Sequence, residues 1–362
     1  MNAVKYMVPM ALLFLLCGCW DSAEIKNQII VAGISIDQAK DPNSLEVGFE
    51  FLPMPVGAEE PIIPKVVTIE GTTLQQCVQD ISDKTANRPY LNHANLVLVS
   101  KQIAEHGIRD IVETMVINPQ YPLTSFLAVS TAERAVDFFS AEGLTSAILS
   151  YEATSAFQTH EENTGKSPTI YVYEIYPYLT NPYAGYVLPA IGIVTQDDKE
   201  IPHNDGGIIF LKDRMVGQLS PTEMQYFSMA TGHIQSATVT LDIGENNSPI
   251  ACTLMQSTCR YRVHFEEGKP IFSLLINQRF STRAVPGRYD SQKLEAAAAN
   301  AVAANISRII EKSQKELNCD FFGFSTYLDR FHHEKWLEMK NSWDVLFPDI
   351  VCQVIVSVNI ID

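Results

Sequence analysis

The residues best placed to do chemistry are the two cysteines of Leu16-Cys17-Gly18-Cys19, since a thiol that follows a leucine and two small residues can act as a lipid acceptor. Ahead of them, Lys5 and the apolar run Val8 to Leu16 form a short secretory signal, too short to cross a bilayer core of about 30 Å as a helix. The small residues at positions 17 and 18 let the chain enter a narrow peptidase site, and Cys19 supplies the thiol that takes the diacylglycerol. Residues 1–18 are therefore expected to be removed and Cys19 to become the lipidated N-terminus.

Elsewhere the chemistry-bearing residues are scattered. His332-His333-Glu334 offers metal-ligand types, yet adjacent residues on a helix point about 100° apart and converge poorly. His93, between Asn92 and Asn95 and just before a strand, reads as a structural histidine. The acid pairs Glu59-Glu60, Glu161-Glu162, Asp197-Asp198 and Glu266-Glu267 lie in loop-like stretches, and nothing in the pattern buries one member so as to separate its pKa from its neighbour's. Cys252, Cys259 and His264 fall in one apolar run; as a single strand, it places the cysteines on opposite faces and about 23 Å apart. No Gly-x-Ser-x-Gly elbow, Ser-x-x-Lys, His-Glu-x-x-His or phosphate-binding glycine loop is present. The expectation is a protein without catalytic residues, cofactor or metal.

The elements that must carry these residues alternate in the first half. Strands are expected at Ile29 to Ile36, Leu45 to Phe51, Val66 to Glu70, Asn95 to Ser100, Ser125 to Val129 and Val187 to Thr195. Between them, helices follow the capping patterns Thr73-x-x-Gln76 and Ser130-x-x-Glu133, and another carries Ile108, Ile111, Val112 and Met115 on one face. Residues 158–166 are polar and aperiodic, expected as a mobile loop, and the tyrosines from Tyr171 to Tyr186 are expected to pack rather than to stack on a ligand.

Residues 197–207 have the charge, proline and glycine of a linker between a domain at 19–196 and another at 208–362. The second opens with a hairpin around Lys212-Asp213-Arg214, followed by a helix started by Ser220-Pro221-Thr222-Glu223. Strands at 237–243, 250–265 and 271–282, a helix at 292–317 and a β-branched strand at 350–361 complete it. Trp336 and Trp343, seven apart, would share one helical face over that sheet. The fold class expected is α+β, mixed sheets with packed helices in at least two domains.

Composition agrees with a folded, exported protein. Of 362 residues 46% are hydrophobic and 19% charged, which supports real cores and argues against disorder. A net charge of −16 repels nucleic acid and anionic headgroups, so membrane attachment should come from lipid and partners. Besides Cys17 and Cys19, the odd set Cys77, Cys252, Cys259, Cys319 and Cys352 argues against a disulfide framework.

Three blocks carry a resemblance. Cys19-Trp20-Asp21-Ser22-Ala23-Glu24-Ile25 with Ile29 to Asp37, Leu91 to Ser100 with Ala104 to Asp110, and Asp320-Phe321-Phe322-Gly323-Phe324 through Trp336, Trp343 and Phe347 resemble the C-subunit lipoproteins of spore germinant receptors, the GerAC-like family. The resemblance implies a lipid-anchored, non-enzymatic subunit working beside membrane-embedded receptor subunits. It would sit on the extracytoplasmic face of the spore inner membrane in the response to nutrients. A solute-binding lipoprotein that captures a nutrient in a cleft stays open as the alternative. An envelope hydrolase survives only if the fold brings His93 to a carboxylate.

Overall fold

The computed structural model describes residues 28–52, 63–85, 87–232, 234–241, 250–282 and 290–361. The signal segment, Cys19 and the Glu59-Glu60 pair lie outside the described residues. Two mixed sheets with packed helices make up an α+β fold, the class the sequence predicts.

The first sheet contains β1 (Gln28–Gln38), β2 (Leu45–Leu52), β3 (Lys65–Gly71), β4 (Arg88–Tyr90), β5 (Leu96–Ser100), β6 (Phe126–Ser130), β7 (Gly185–Gln196), β8 (Lys199–Leu211) and β9 (Arg214–Leu219), in the order β3-β2-β1-β5-β6-β7-β8-β9 with β4 beside β1. Its central strands run without polar alternation because both faces are covered. Val97 and Val99 enter a core with the helices α1 (Leu74–Thr85), α2 (Lys101–His106), α3 (Arg109–Ile117) and α5 (Val172–Thr180). Leu96 and Leu98 face the other way, onto a short 3₁₀ segment at Ala135–Ser140 and the helix α4 (Leu149–Asn163).

Three expectations are corrected here. Gln158 to Asn163 belong to α4, whose Leu149, Ala153 and Phe157 keep one face in the core while its later turns are polar because they lie outside it. Ser130-x-x-Glu133 caps no α-helix: Ala135, Val136, Phe138 and Phe139 are buried in a 3₁₀ helix, Ala135–Ser140, at whose start the Ala135 and Val136 N–H groups donate to the buried Asp37 carboxylate of β1 at 2.6 and 3.0 Å. Residues 197–207 are not a linker. Asp197 and Asp198, both at positive φ, make a two-residue hairpin turn, and from Lys199 the chain is already in β8, paired along β7. The hairpin after it therefore extends the first sheet, and the division between the sheets falls after Leu219.

The second sheet has the order β10 (Ala237–Leu241), β11 (Ile250–Glu266), β12 (Lys269–Thr282), β13 (Val351–Ile361), with β12 and β13 parallel. Against one face pack α6 (Pro221–Thr231), which starts with the expected capping box and proline, and α7 (Ser291–Glu311). Leu294, Ala298, Val302, Ile306, Ile309 and Ile310 of α7 are buried as its periodicity predicts. The helical run continues to Glu316, one residue short of the expected end, its last turn at 312–316 widened to π-helical spacing. Val187, Ile209 and Leu219 of the first sheet join the same core, so the two sheets are packed together.

Candidate functional site: the C-terminal signature and the cleft beside it

The block Asp320 to Phe324 sits where the sheets meet. Asp320 is 1% exposed, and its carboxylate accepts the N–H groups of Phe324 at 2.9 Å and Ser325 at 2.6 Å, the start of α8 (Phe324–Phe331). Burial pushes its pKa up, opposed by the hydrogen bonds from Ser325, Phe324 and Gly323. Its own carbonyl accepts the Gly185 N–H of β7 at 2.9 Å, tying the helix start to the first sheet. A side chain at Gly185 would collide with Cys319 Sγ, so the approach depends on glycine. Gly323, at φ +78°, turns the chain so that Phe321 and Phe322 pack on Phe227 while Phe324 faces Phe272, with centroids 4.6 Å apart. Tyr261 donates its hydroxyl to the Phe322 carbonyl at 3.1 Å, and Tyr327 donates to the Tyr261 carbonyl at 3.0 Å.

Asp320 has two counterparts. Asp37 at the 3₁₀ segment is one; Glu50 of β2 is the other, accepting from Leu149 N at 2.8 Å and from Ser150 N at 3.1 Å at the start of α4. Burial raises the pKa of each, against the backbone and hydroxyl donors that lower it. With their oxygens engaged by helix-start donors, these acids fix elements in place rather than offer a free proton acceptor. Among the described residues the carboxylic acids whose pKa burial leaves raised are three single residues rather than members of the sequence's acid pairs.

Beside the signature opens a cleft of about 1210 Å³, lined among others by Glu162, Thr169, Tyr171, Tyr261, Phe321 and Arg330. The tyrosine block forms part of this wall and mostly packs. Tyr171 lies 4.7 Å from Phe126, Tyr178 5.0 Å from Tyr186, and Tyr183 5.2 Å from Trp336, whereas Tyr173 and Tyr176 are exposed.

The other singled-out residues do not assemble. His93 is exposed against Tyr90 and has no carboxylate partner among the described residues. His333 pairs with Asp329 on the surface, while His332 packs on Phe265. Among the described residues no three His, Cys, Asp or Glu side chains converge as a metal site. Glu161-Glu162 lies in α4 rather than a loop, and Glu267 with Gly268, both at positive φ, turns β11 into β12. Ile250 to Glu266 is indeed one strand, but a bulge between Leu254 and Gln256 shifts its parity. Cys252 and Cys259 therefore face the same core instead of opposite sides, and both are free thiols. Trp336 and Trp343 meet edge to face at 5.1 Å, although residues 340–342 form a 3₁₀ turn between α9 (His333–Met339) and α10 (Trp343–Leu346).

The family model described as "Spore germination protein N-terminal domain" matches residues 21–193, and that described as "Spore germination B3/ GerAC like, C-terminal" matches residues 205–362. The chain belongs to this GerAC-like family of spore germination proteins, the C-subunit family of germinant receptors. Among its relatives, spore germination protein B3 of Bacillus subtilis (strain 168) is 23% identical, the alignment covering 100% of this chain and 98% of the relative. Spore germination protein A3 of the same organism is 24% identical over 91% of this chain and 89% of its own. The crystal structure of the GerBC protein superimposes with a TM-score of 0.61, at 19% identity, covering 91% of this chain and 97% of that one, and shares the fold.

Proposed function

We propose that the chain is the lipid-anchored, non-enzymatic C-subunit of a nutrient germinant receptor, held at the outer face of the spore inner membrane beside membrane-embedded partner subunits. One observation carries the reading: both halves match the family along nearly the whole chain, including the block whose residues build the junction between the sheets. Cys19 is the proposed lipid site, and residues 1–18 the segment removed before it. Among the described residues no helix is long and apolar enough to cross a membrane, so in this reading the acyl chains and the partners supply the attachment. Tethering raises the local concentration of the chain near its partners, so modest contacts suffice to hold a complex.

The cleft beside Asp320 favours a second reading, capture of a small nutrient. Deleting the chain separates the two when combined with calorimetry. The subunit reading expects loss of one receptor's nutrient response, lower levels of its partners in the spore membrane, and no tight nutrient binding by the isolated chain. Normal germination in every nutrient would remove it, and micromolar binding of an amino acid or sugar would move the assignment to solute capture.

A further inference from the structure

The second sheet is covered on one face only. Along β11, β12 and β13 the residues that alternate with the core positions form an open face, and its register is fixed by the ladders. Arg260 lies beside Leu275, which lies beside Ile355; His264 lies beside Ile271, which lies beside Val351; Arg279 lies beside Asn359. None of these side chains joins the helix-side core. Val351 and Ile355 are each 51% exposed, an unusual state for aliphatic residues on a sheet. Arg260, Arg262 and Arg279 are exposed and make no side-chain hydrogen bond or ion pair among the described residues. The acid on this face is Glu266, and His264 engages it at 3.3 Å. A chain of net charge −16 thus keeps three guanidiniums, unpaired among the described residues, beside aliphatic side chains on one open face.

From this charge segregation we infer that the open face of β11–β13 docks on an anionic lipid surface. Neighbouring strands are about 4.8 Å apart, so a guanidinium on β11 reaches a phosphate while Leu275, Ile355 and Val351 settle at the headgroup boundary beside it. Screening over about 8 Å at physiological salt hides the acids of the other faces from the membrane, which leaves this face as the attracted one. The composition alone argues for repulsion; the arrangement of the charges reverses that locally. The membrane setting rests on the proposed function, but the contact needs no lipid on Cys19, so the two fail separately.

The test uses the unlipidated chain from Trp20 to Asp362, which contains every described strand and helix, in co-sedimentation with vesicles. Partitioning onto phosphatidylglycerol/phosphatidylcholine vesicles should exceed that onto pure phosphatidylcholine by at least about tenfold at physiological salt, and fall as salt rises further. R260Q/R262Q/R279Q should lower it roughly hundredfold, at about fivefold per guanidinium. R88Q/K101Q/R214Q, an equal change of charge at exposed sites elsewhere, should leave it within about twofold. Thermal melting of both variants checks that each is folded. Equal losses in the two variants, or binding indifferent to phosphatidylglycerol, would overturn the proposal. So would vesicle binding absent altogether while the same three arginines are needed to retain a membrane-embedded partner, which points instead to an acidic protein segment.

Discussion

Asp320 illustrates how one residue holds the junction. Its carboxylate accepts two buried backbone N–H groups at the start of α8, so truncating the side chain orphans both, while the backbone carbonyl that binds Gly185 remains. Asp320→Ala should cost about 2–3 kcal/mol in urea unfolding. A loss under about 0.5 kcal/mol would show that the cap is dispensable. Its importance was legible only as part of a resembling block, because burial of a single acid leaves no periodic trace in a sequence. Cys19 is the opposite case, readable from four residues and lying outside the described structure. Cys19→Ala should abolish lipidation and cleavage while Cys17→Ala is nearly silent, as mass spectrometry of the mature N-terminus will report; a lipid on Cys17 would refute the assignment.

Elements follow the apolar pattern closely, and departures have local causes. The face of α7 was readable because its period holds over five turns, whereas the far end of α4 was not, since its last turns leave the core and lose their period. The bulge in β11 was equally hidden: a single extra residue flips parity with no compositional mark. It does not make a disulfide. Burial pushes Cys77 up to about 11, and Cys259 and Cys352 up to about 12, with neighbouring acids adding to the shift at Cys77 and Cys352. Thiol titration of the native protein near pH 8 should therefore be slow at all three and become complete in denaturant; a Cys252 to Cys259 bridge would contradict the strand. Glu223 ties α6 to the π turn that follows α7 through Lys312 at 2.8 Å. Burial raises its pKa, but the Lys312 and Ser220 hydrogen bonds together hold it below the usual 4.5. The folded value being depressed, its stabilisation is present above that pH and disappears as pH falls through the lowered value. Wild type should exceed Glu223→Gln by about 1 kcal/mol at pH 7 and by nothing in acid; an unchanged gap in acid would assign the difference to packing.

At the scale of the whole molecule the fold class was legible and the boundary between sheets was not. Residues 197–207 carry linker composition because a hairpin that projects past its neighbours is polar, so composition alone does not separate a hairpin tip from a tether. The shared core of Val187, Ile209 and Leu219 with the second sheet makes the molecule a single scaffold. Membrane association through partners is the central claim, and affinity purification of the lipidated chain from spore inner membranes tests it most directly. Recovery of membrane-embedded receptor subunits in fixed proportion, at salt that strips peripheral proteins, is the result expected. Recovery of the lipidated chain alone from the same membranes would contradict it.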